Sequence, residues 1–501
     1  MGDASTPLPS TPSLKQVRAD LPSAKPTLSF WQTSYPNDLT HYRSSVSLPT
    51  HADIVVIGTG ISGTIAVDEL FRKAGTTDSD SSKLNVLVLE ARTLCSAATG
   101  RNGGHLHPIV HAAPPDVLRF EMDNFNYVSN LINSNNIDCD YRRLNGCLGF
   151  WNATYFEEAK RALAETPAAL SSMVKVVEEP IELKRLGLKD GAVGAIVQSV
   201  AASLSPYKLC VTIWEKLLKQ SETSEAGARL NLQTTTVATH LSRHGGETWT
   251  VHTARGMVQT KAIILATNGY TSHLLPSFSA LIRPVQAQMS ALIPPPPASH
   301  GQERKLIPRS CGFEGVGDMD RVMSDYLVQN PYNPTVENGG GHLMFGGGRH
   351  IALNHGENNS DDSYVDKNVE RYLRTLPERL DLNFEGKDAD QSEHKMLDIA
   401  ASWTGIIGHS LDGYPWVGQV PDHEGVYLCA GYTGHGMTNA PLCGRYVARM
   451  ALAELGSAAR DIHLADDKSE GLDTSQVWNG KVPAQYLITA DRMSSHLQDN
   501  A

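Results

Sequence analysis

None of the seven cysteines, Cys95, Cys139, Cys147, Cys210, Cys311, Cys429 and Cys443, pairs with another at CxxC spacing. Neither a zinc site nor a disulfide framework is indicated, and a reducing compartment fits. No run of lysine or arginine breaks a chain of net charge −11, so the electrostatic footprint of a nucleic-acid binder is missing and no such partner is expected. The longest apolar runs, such as 262–266, fall far short of the roughly 18 residues that cross a bilayer, and no membrane span is expected. The opening segment is polar and proline-rich and lacks the apolar stretch of a signal peptide, so a cytoplasmic protein is expected.

What is present is ordinary for a globular protein: 501 residues, 41% hydrophobic and 19% charged, enough to bury two cores. Residues 1–49 read as a polar N-terminal arm, because prolines recur and no apolar period persists. From His51 the pattern changes. The run Asp53-Ile-Val-Val-Ile57 is a short β-branched strand, Gly58-Thr-Gly60-Ile61-Ser62-Gly63 a glycine turn, and 64–73 has helical spacing. After a polar stretch at 76–82, a second strand at 85–89 ends in Glu90, which closes a βαβ unit. Strands at 249–253, 258–261 and 262–265 lead as a meander into Ala266-Thr267-Asn268-Gly269-Tyr270.

Segments 115–205 and 283–395 mix helices with strands and interrupt the dinucleotide-binding material instead of following it. The fold class expected is therefore α/β: a Rossmann-type dinucleotide-binding domain (50–114, 206–282 and 396–455) interleaved with an α+β substrate domain carrying a mostly antiparallel sheet. The proline run 294–297 reads as a surface loop, and 456–501, with its polar stretch 466–474, as a poorly packed C-terminal tail.

The glycine spacing has a physical task. The first glycine permits the tight turn, the second lets backbone approach a pyrophosphate, and the third lets helix pack on strand, so the helix N-terminus faces the phosphates. A chance glycine-rich turn is the plain alternative. The flanking strand and helix argue against it, as does Glu90, a carboxylate placed to accept bonds from a ribose diol. Small residues from Ser96 to Gly104 suit close passage of a bulky ligand, although turn chemistry alone would also explain them. His105, His107 and His111 have no acidic or cysteine partner at ligand spacing, so no metal site is expected. A second glycine cluster, from Gly431 to Gly444, precedes a helical pattern at 445–455. Its helix N-terminus could stabilise negative charge on a reduced flavin, or the glycines could serve only as caps.

Taken together, 54–104, 266–270, 343–348 and 403–444 resemble the D-amino-acid-oxidase-like superfamily of FAD-dependent oxidoreductases, in the branch of the sarcosine oxidases and glutamylputrescine oxidase. The resemblance spans roughly 50–455 with four motifs in the family's order. It implies that Gly58, Gly60, Ile61, Ser62 and Gly63 hold the FAD pyrophosphate, Glu90 the adenosine ribose, and Ala91 and Arg92 the adenine side, with Val237 a backbone contact there. By the same resemblance Thr99, Gly100, Arg101, Asn102, Gly103, Gly104 and His105 pass the flavin ring. Thr267, Asn268, Gly269 and Gly405 complete the site, and Gly434, His435, Gly436, Met437 and Thr438 lie at the pyrimidine edge.

Two departures from the family qualify the expectation. No cysteine stands in 403–415, where sarcosine oxidases attach their flavin, so FAD is expected to be non-covalent. Met344 is the nearest match to their oxygen-activating lysine, so the electron acceptor is molecular oxygen or another species. The family's chemistry is hydride transfer from the α-carbon of a small amine or amino acid to flavin N5, followed by hydrolysis of the imine. Arg349 and Arg283 are candidates for binding a substrate carboxylate, and His435 and Tyr432 for contacts at flavin or substrate. The alternatives are an FAD-dependent dehydrogenase or isomerase of a biosynthetic pathway, a flavin-binding protein without amine oxidation, and an NAD-dependent dehydrogenase.

Overall fold

A computed structural model describes residues 18–74, 83–110, 113–223, 227–243, 248–296, 306–317, 323–333, 339–382, 396–455 and 478–498. The expectations for 1–17, 76–82, His111, Pro297 and 466–474 lie outside the described residues.

The strand His51–Ile57 is central to the first sheet. Its Ile54, Val55, Val56 and Ile57 are all buried, as a parallel strand covered on both faces requires. It pairs in parallel with Leu84–Leu89 on one side and Gly256–Leu265 on the other. The order runs Trp416–Gln419, Val426–Ala430, Gly256–Leu265, His51–Ile57, Leu84–Leu89, Ala228–Gln233, and an antiparallel meander of Ala238–Arg243 and Trp249–Thr253 leans on Gly256–Leu265. The two strands expected at 258–261 and 262–265 are one continuous strand.

Helices Ile61–Ala74 and Ala440–Glu454 pack against each other beside this sheet. A Cβ on Gly444 would lie 2.3 Å from Ser62 O, so the crossing depends on that glycine. Behind it Glu69, 1% exposed, receives Arg445 Nε at 2.8 Å and Arg449 Nε at 2.6 Å. One buried carboxylate thus fixes the two helices together.

The second sheet runs Ile399–Ser410, Ile282–Leu292, Leu343–Gly347, Asp325–Gln329, Arg309–Glu314, Arg142–Phe150, Gly194–Ser203, His105–Leu106, with Val174–Val177 beside Gly194–Ser203. Every pairing is antiparallel except that of Arg309–Glu314 with Arg142–Phe150. Ile399–Ser410 falls within the segment read from sequence as flavin-domain chain, yet it pairs along the whole of Ile282–Leu292. Thr404, Ile406 and Ser410 are buried at alternate positions along it, and Trp403 is buried beside them.

Both ends also differ from an exposed arm and tail. Phe30, Trp31 and Leu39 are buried in the main core, and Thr27 N–H donates to Asp362 O at 2.8 Å. At the other end Trp478, Val482 and Tyr486 are buried, and the Arg445 and Arg449 guanidinium groups lie 5.6 and 5.1 Å from the Trp478 ring centre. Apolar residues spaced among prolines and polar groups supply the anchors, a pattern with no period to announce it. Among the described residues no helix is long and apolar enough to cross a membrane.

Candidate active site

The glycine turn is built so that only glycine fits. Gly58 has φ 112°, and a Cβ there would lie 2.6 Å from Ala266 O. A Cβ on Gly63 would lie 2.0 Å from Gly58 O, which keeps the helix start pressed on the turn. Gly60 leaves its space to Thr99 Oγ1, which also accepts the Ile61 N–H at 3.0 Å. Ser62 Oγ is 2.9 Å from Tyr432 Oη.

Glu90 closes the next strand with its carboxylate buried. Its Oε2 accepts from Thr59 N at 3.1 Å and Thr59 Oγ1 at 2.6 Å, and its Oε1 accepts from Arg92 N at 3.0 Å. Ala91 lies between them in this turn. The chain ahead of Val237 runs alongside: Thr236 N–H donates to Glu90 O and Thr235 N–H to Arg92 O. The Arg92 guanidinium turns away from this edge to Asp362, on a loop of the substrate domain, and to Ser96 O.

The turn 99–104 is gripped from three directions. Trp31 Nε1 donates to Asn102 O at 2.6 Å and Trp403 Nε1 to Arg101 O at 2.7 Å. The Arg101 guanidinium donates to Ser96 O, Thr404 O and Thr27 O at 2.6, 2.7 and 2.6 Å, and it passes over Gly405, whose missing side chain makes the room. Gly100 is buried in this turn, Gly103 faces Tyr326 and Met289, and Gly104 N–H donates to Asn102 Oδ1.

Across the sheet, Asn268 Oδ1 accepts the Gly431 N–H at 3.0 Å, Thr267 Oγ1 is 2.9 Å from Thr271 Oγ1, and Gly269 packs on Ile406. The second glycine cluster is anchored to the substrate sheet, because Thr433 N–H donates to Gly408 O and Ser410 N–H to Thr433 Oγ1. Beyond that anchor it opens. Gly434 has φ 90° and a Cβ there would meet nothing within 4 Å, while at Gly436 the nearest atom would be Tyr432 Cβ at 3.9 Å. Met437 is buried, Thr438 Oγ1 donates to His435 O, and His435 itself is 44% exposed.

Of the candidate catalytic residues, three share one neighbourhood. Arg349 Nη1 is 3.4 Å from His409 Nε2, and Glu357 receives both Arg349, at 4.0 Å, and Arg283, at 3.6 Å. Arg283 stands opposite His409 in the sheet register. Burial, with the charges of Arg349, Arg283 and His435 adding to it, lowers His409 to about 3, so its ring is neutral. Tyr432 and Met344 are elsewhere. Tyr432 is buried beneath the glycine helix with its hydroxyl on Ser62, and Met344 is fully buried opposite Ala291 and Val328.

Sequence reasoning missed His409, Glu357 and Asp362, together with Ser310 and Gln198, whose contacts cross between strands far apart in the chain. His107 was considered only as a metal ligand. In the fold its Nδ1 is 3.1 Å from Ser310 Oγ, which His105 Nδ1 also approaches, at 2.8 Å. Ser96 Oγ, Tyr270 Oη and His105 Nε2 are buried without a hydrogen-bond partner, which a large polar ligand would supply. The glycine turn, the Glu90 carboxylate, the orphaned Ser96 and Tyr270 oxygens and the open space at Gly434 fit FAD.

A Rossmann-type sheet with this turn, covered by a second, mostly antiparallel sheet, defines an FAD-dependent oxidoreductase. Residues 53–450 match the sequence model of the DAO family, described as FAD dependent oxidoreductase, and the chain belongs to that family. It is 25% identical to gamma-glutamylputrescine oxidoreductase of Escherichia coli over 422 residues, 79% of this chain and 83% of the relative. It is 21% identical to the probable oxidoreductase OrdL of Haemophilus influenzae over 456 residues, 86% and 88% of the two chains. Among solved structures, glycine oxidase from Geobacillus kaustophilus superposes with a TM-score of 0.61 at 16% identity, covering 88% of this chain and 99% of that one.

Proposed function

We propose that this enzyme oxidises the C–N bond of a small amine or amino acid bearing a carboxylate, giving an imine that water hydrolyses. The observation that carries the reading is the grouping of Arg349, Arg283 and neutral His409 beside the 431–438 loop. Bound FAD supplies the two-electron acceptor for the substrate hydride. The protein orients and shields. Guanidinium groups bind a carboxylate in fork geometry, and Glu357 is the internal carboxylate that a substrate would have to share or displace. His409 stays uncharged and adds no positive charge that would repel an ammonium. Trp31 and Trp403, buried against the 99–104 turn, keep water from that side. The relatives whose names specify a substrate, gamma-glutamylputrescine and glycine, act on molecules that carry both an amine and a carboxylate.

A second reading concerns only the electron acceptor. Met344, apolar and fully buried, supports a dehydrogenase that passes electrons to a carrier other than oxygen. One experiment tests both readings. The FAD-loaded enzyme is mixed anaerobically with a panel of amines and amino acids, bleaching of the visible flavin bands is followed, and air is then admitted. Bleaching by a carboxylate-bearing amine is the expected result, and slow return of colour in air supports the second reading. A panel that leaves the flavin oxidised sinks the amine assignment.

A further inference from the structure

We infer that His105 Nε2 is the hydrogen-bond acceptor for the substrate amine N–H, held unprotonated by a relay through Ser310, His107 and Gln198. The inference rests on the amine reading above, and each link follows from which atoms can donate.

The relay starts at Gln198. Its Nε2 donates to Pro108 O and Val200 O, both at 2.7 Å. Two carbonyls fix the amide, so Oε1 is the polar atom left to face His107, whose Nε2 crowds the same place beside Gly146 as the Gln198 side chain. His107 Nδ1 is taken up by Ser310, so its Nε2 faces Gln198. The crowding at Gly146 agrees: a Cβ there would lie 2.3 Å from His107 Nε2 and 2.6 Å from Gln198 Cγ.

An amide oxygen only accepts, so His107 Nε2 carries the hydrogen and Nδ1 the lone pair. The Ser310 hydroxyl therefore donates its one proton to His107 Nδ1. With that proton committed, Ser310 Oγ can only accept from His105 Nδ1, at 2.8 Å. His105 Nδ1 thus carries the hydrogen, and Nε2 is a bare lone pair.

That lone pair is buried and meets no donor in the protein. Leaving it so is costly, and an N–H donor from a ligand would satisfy it. His105 follows Gly103 and Gly104 in the chain. Its ring stands edge-on to Tyr326, centroids 4.9 Å apart, and Tyr326 and Met289 close over Gly103 from the substrate sheet. His105 opens the edge strand His105–Leu106 of that sheet, so its ring stands where the 99–104 turn meets the sheet, the position assigned to the substrate amine. Burial, reinforced by His107, lowers His105 to about 3, and burial lowers His107 to about 4. His105 accordingly accepts a hydrogen bond from the amine without itself taking a proton.

The test reads tautomers directly. Two-bond ¹⁵N–¹H correlation spectra are recorded on histidine-labelled enzyme as apoprotein, as FAD-loaded protein and as dithionite-reduced protein. To the reduced form, which cannot oxidise an amine, is added whichever of glycine, N-methylglycine, L-proline and putrescine bleaches the oxidised enzyme most. The expected spectrum has unprotonated Nε2 on His105 and protonated Nε2 on His107, and the amine shifts the His105 Nε2 resonance. Ser310→Ala should mix the His105 tautomers and raise the KM for the amine about tenfold with FAD content unchanged, and Ser310→Thr should restore both.

A protonated His105 Nε2 overturns the relay. A resonance that moves on FAD loading and not on amine addition overturns the substrate role, because the acceptor then serves the flavin. If none of the four amines bleaches the flavin although the tautomers are as expected, the amine reading fails and takes His105's substrate role with it, while the relay stands.

Discussion

Arg92 Nη1 lies 2.9 Å from Asp362 Oδ1 and 2.8 Å from Oδ2, in a pair whose side chains are 7% and 1% exposed. Arg101 Nε approaches the same carboxylate at 3.6 Å, and the Asp362 carbonyl receives the Thr27 N–H. One aspartate of the substrate domain therefore joins the strand end at Glu90, the turn 99–104 and the N-terminal segment. Removing one partner of a buried pair leaves an uncompensated charge. Asp362→Ala should cost about 3–5 kcal/mol of unfolding free energy, measured by urea denaturation of the apoprotein. Asp362→Leu combined with Arg92→Met should cost less than Asp362→Ala alone. A larger loss in the double variant would mean that the pair itself, and not the stranded charge, supplies the stability.

Two glycines of the site should respond in opposite ways. Gly63→Ala drives a methyl to 2.0 Å from Gly58 O, so the helix must leave the turn and the folded yield should collapse. Gly434→Ala meets no protein atom within 4 Å; its positive φ costs about 1 kcal/mol, a shift of about one degree in Tm for a chain of this size. The new methyl would stand where the cofactor belongs. FAD affinity, from fluorescence titration of apoprotein, should therefore fall at least about tenfold, about 1.4 kcal/mol. Unchanged affinity would mean that the open space at Gly434 is not the flavin's.

Acid should destabilise the fold through its buried histidines. Burial lowers His105 to about 3, His107 to about 4 and His409 to about 3, against about 6.5 in the unfolded chain. Below pH 6.5 the unfolded state binds protons that the folded state refuses. The stability these rings contribute is thus complete above pH 6.5 and is lost as pH falls toward 4. Asp123 and Asp325, each raised by burial to about 6 against the opposing charges of Arg119 and Arg379, work with the other sign over the same range. The total slope mixes both, so a difference is the useful quantity. His409→Asn should narrow its stability gap to wild type between pH 7 and pH 5 in urea titrations. A gap that does not change with pH would show that His409 protonates freely in the fold.

What was legible from sequence is local. The strand, turn and helix around 53–73 occupy contiguous residues, and the alternation of domain segments follows from where the apolar periods change. Ile399–Ser410 was not legible as a substrate-sheet strand, because its partner Ile282–Leu292 lies more than a hundred residues upstream. Tyr432 was read as a contact at flavin or substrate; helix packing buries it with its hydroxyl 2.9 Å from Ser62 Oγ, a contact no sequence pattern signals. His107 stood out only in a histidine cluster, and His105 there and in the run that the resemblance places along the flavin. Their connection passes through Ser310 and Gln198, which strand pairing alone brings near.

The N-terminal segment is the part whose importance the sequence hid most, and Trp31 tests it. Its indole is 2% exposed, donates to Asn102 O at 2.6 Å and packs on Gly104. Two contributions can be separated by substitution. Trp31→Ala removes ring and hydrogen bond and should cost about 3–5 kcal/mol in urea unfolding. Trp31→Phe keeps most of the apolar bulk and strands the Asn102 carbonyl, a loss of about 1–3 kcal/mol. If the turn of Asn102 and Gly104 holds the flavin, both variants should release FAD faster than wild type on dilution, Ala more than Phe. If Phe releases it as fast as Ala, the indole N–H positions the turn and the bulk of the ring is incidental. If neither changes release while both lower stability, the segment supports the core and leaves the cofactor site alone.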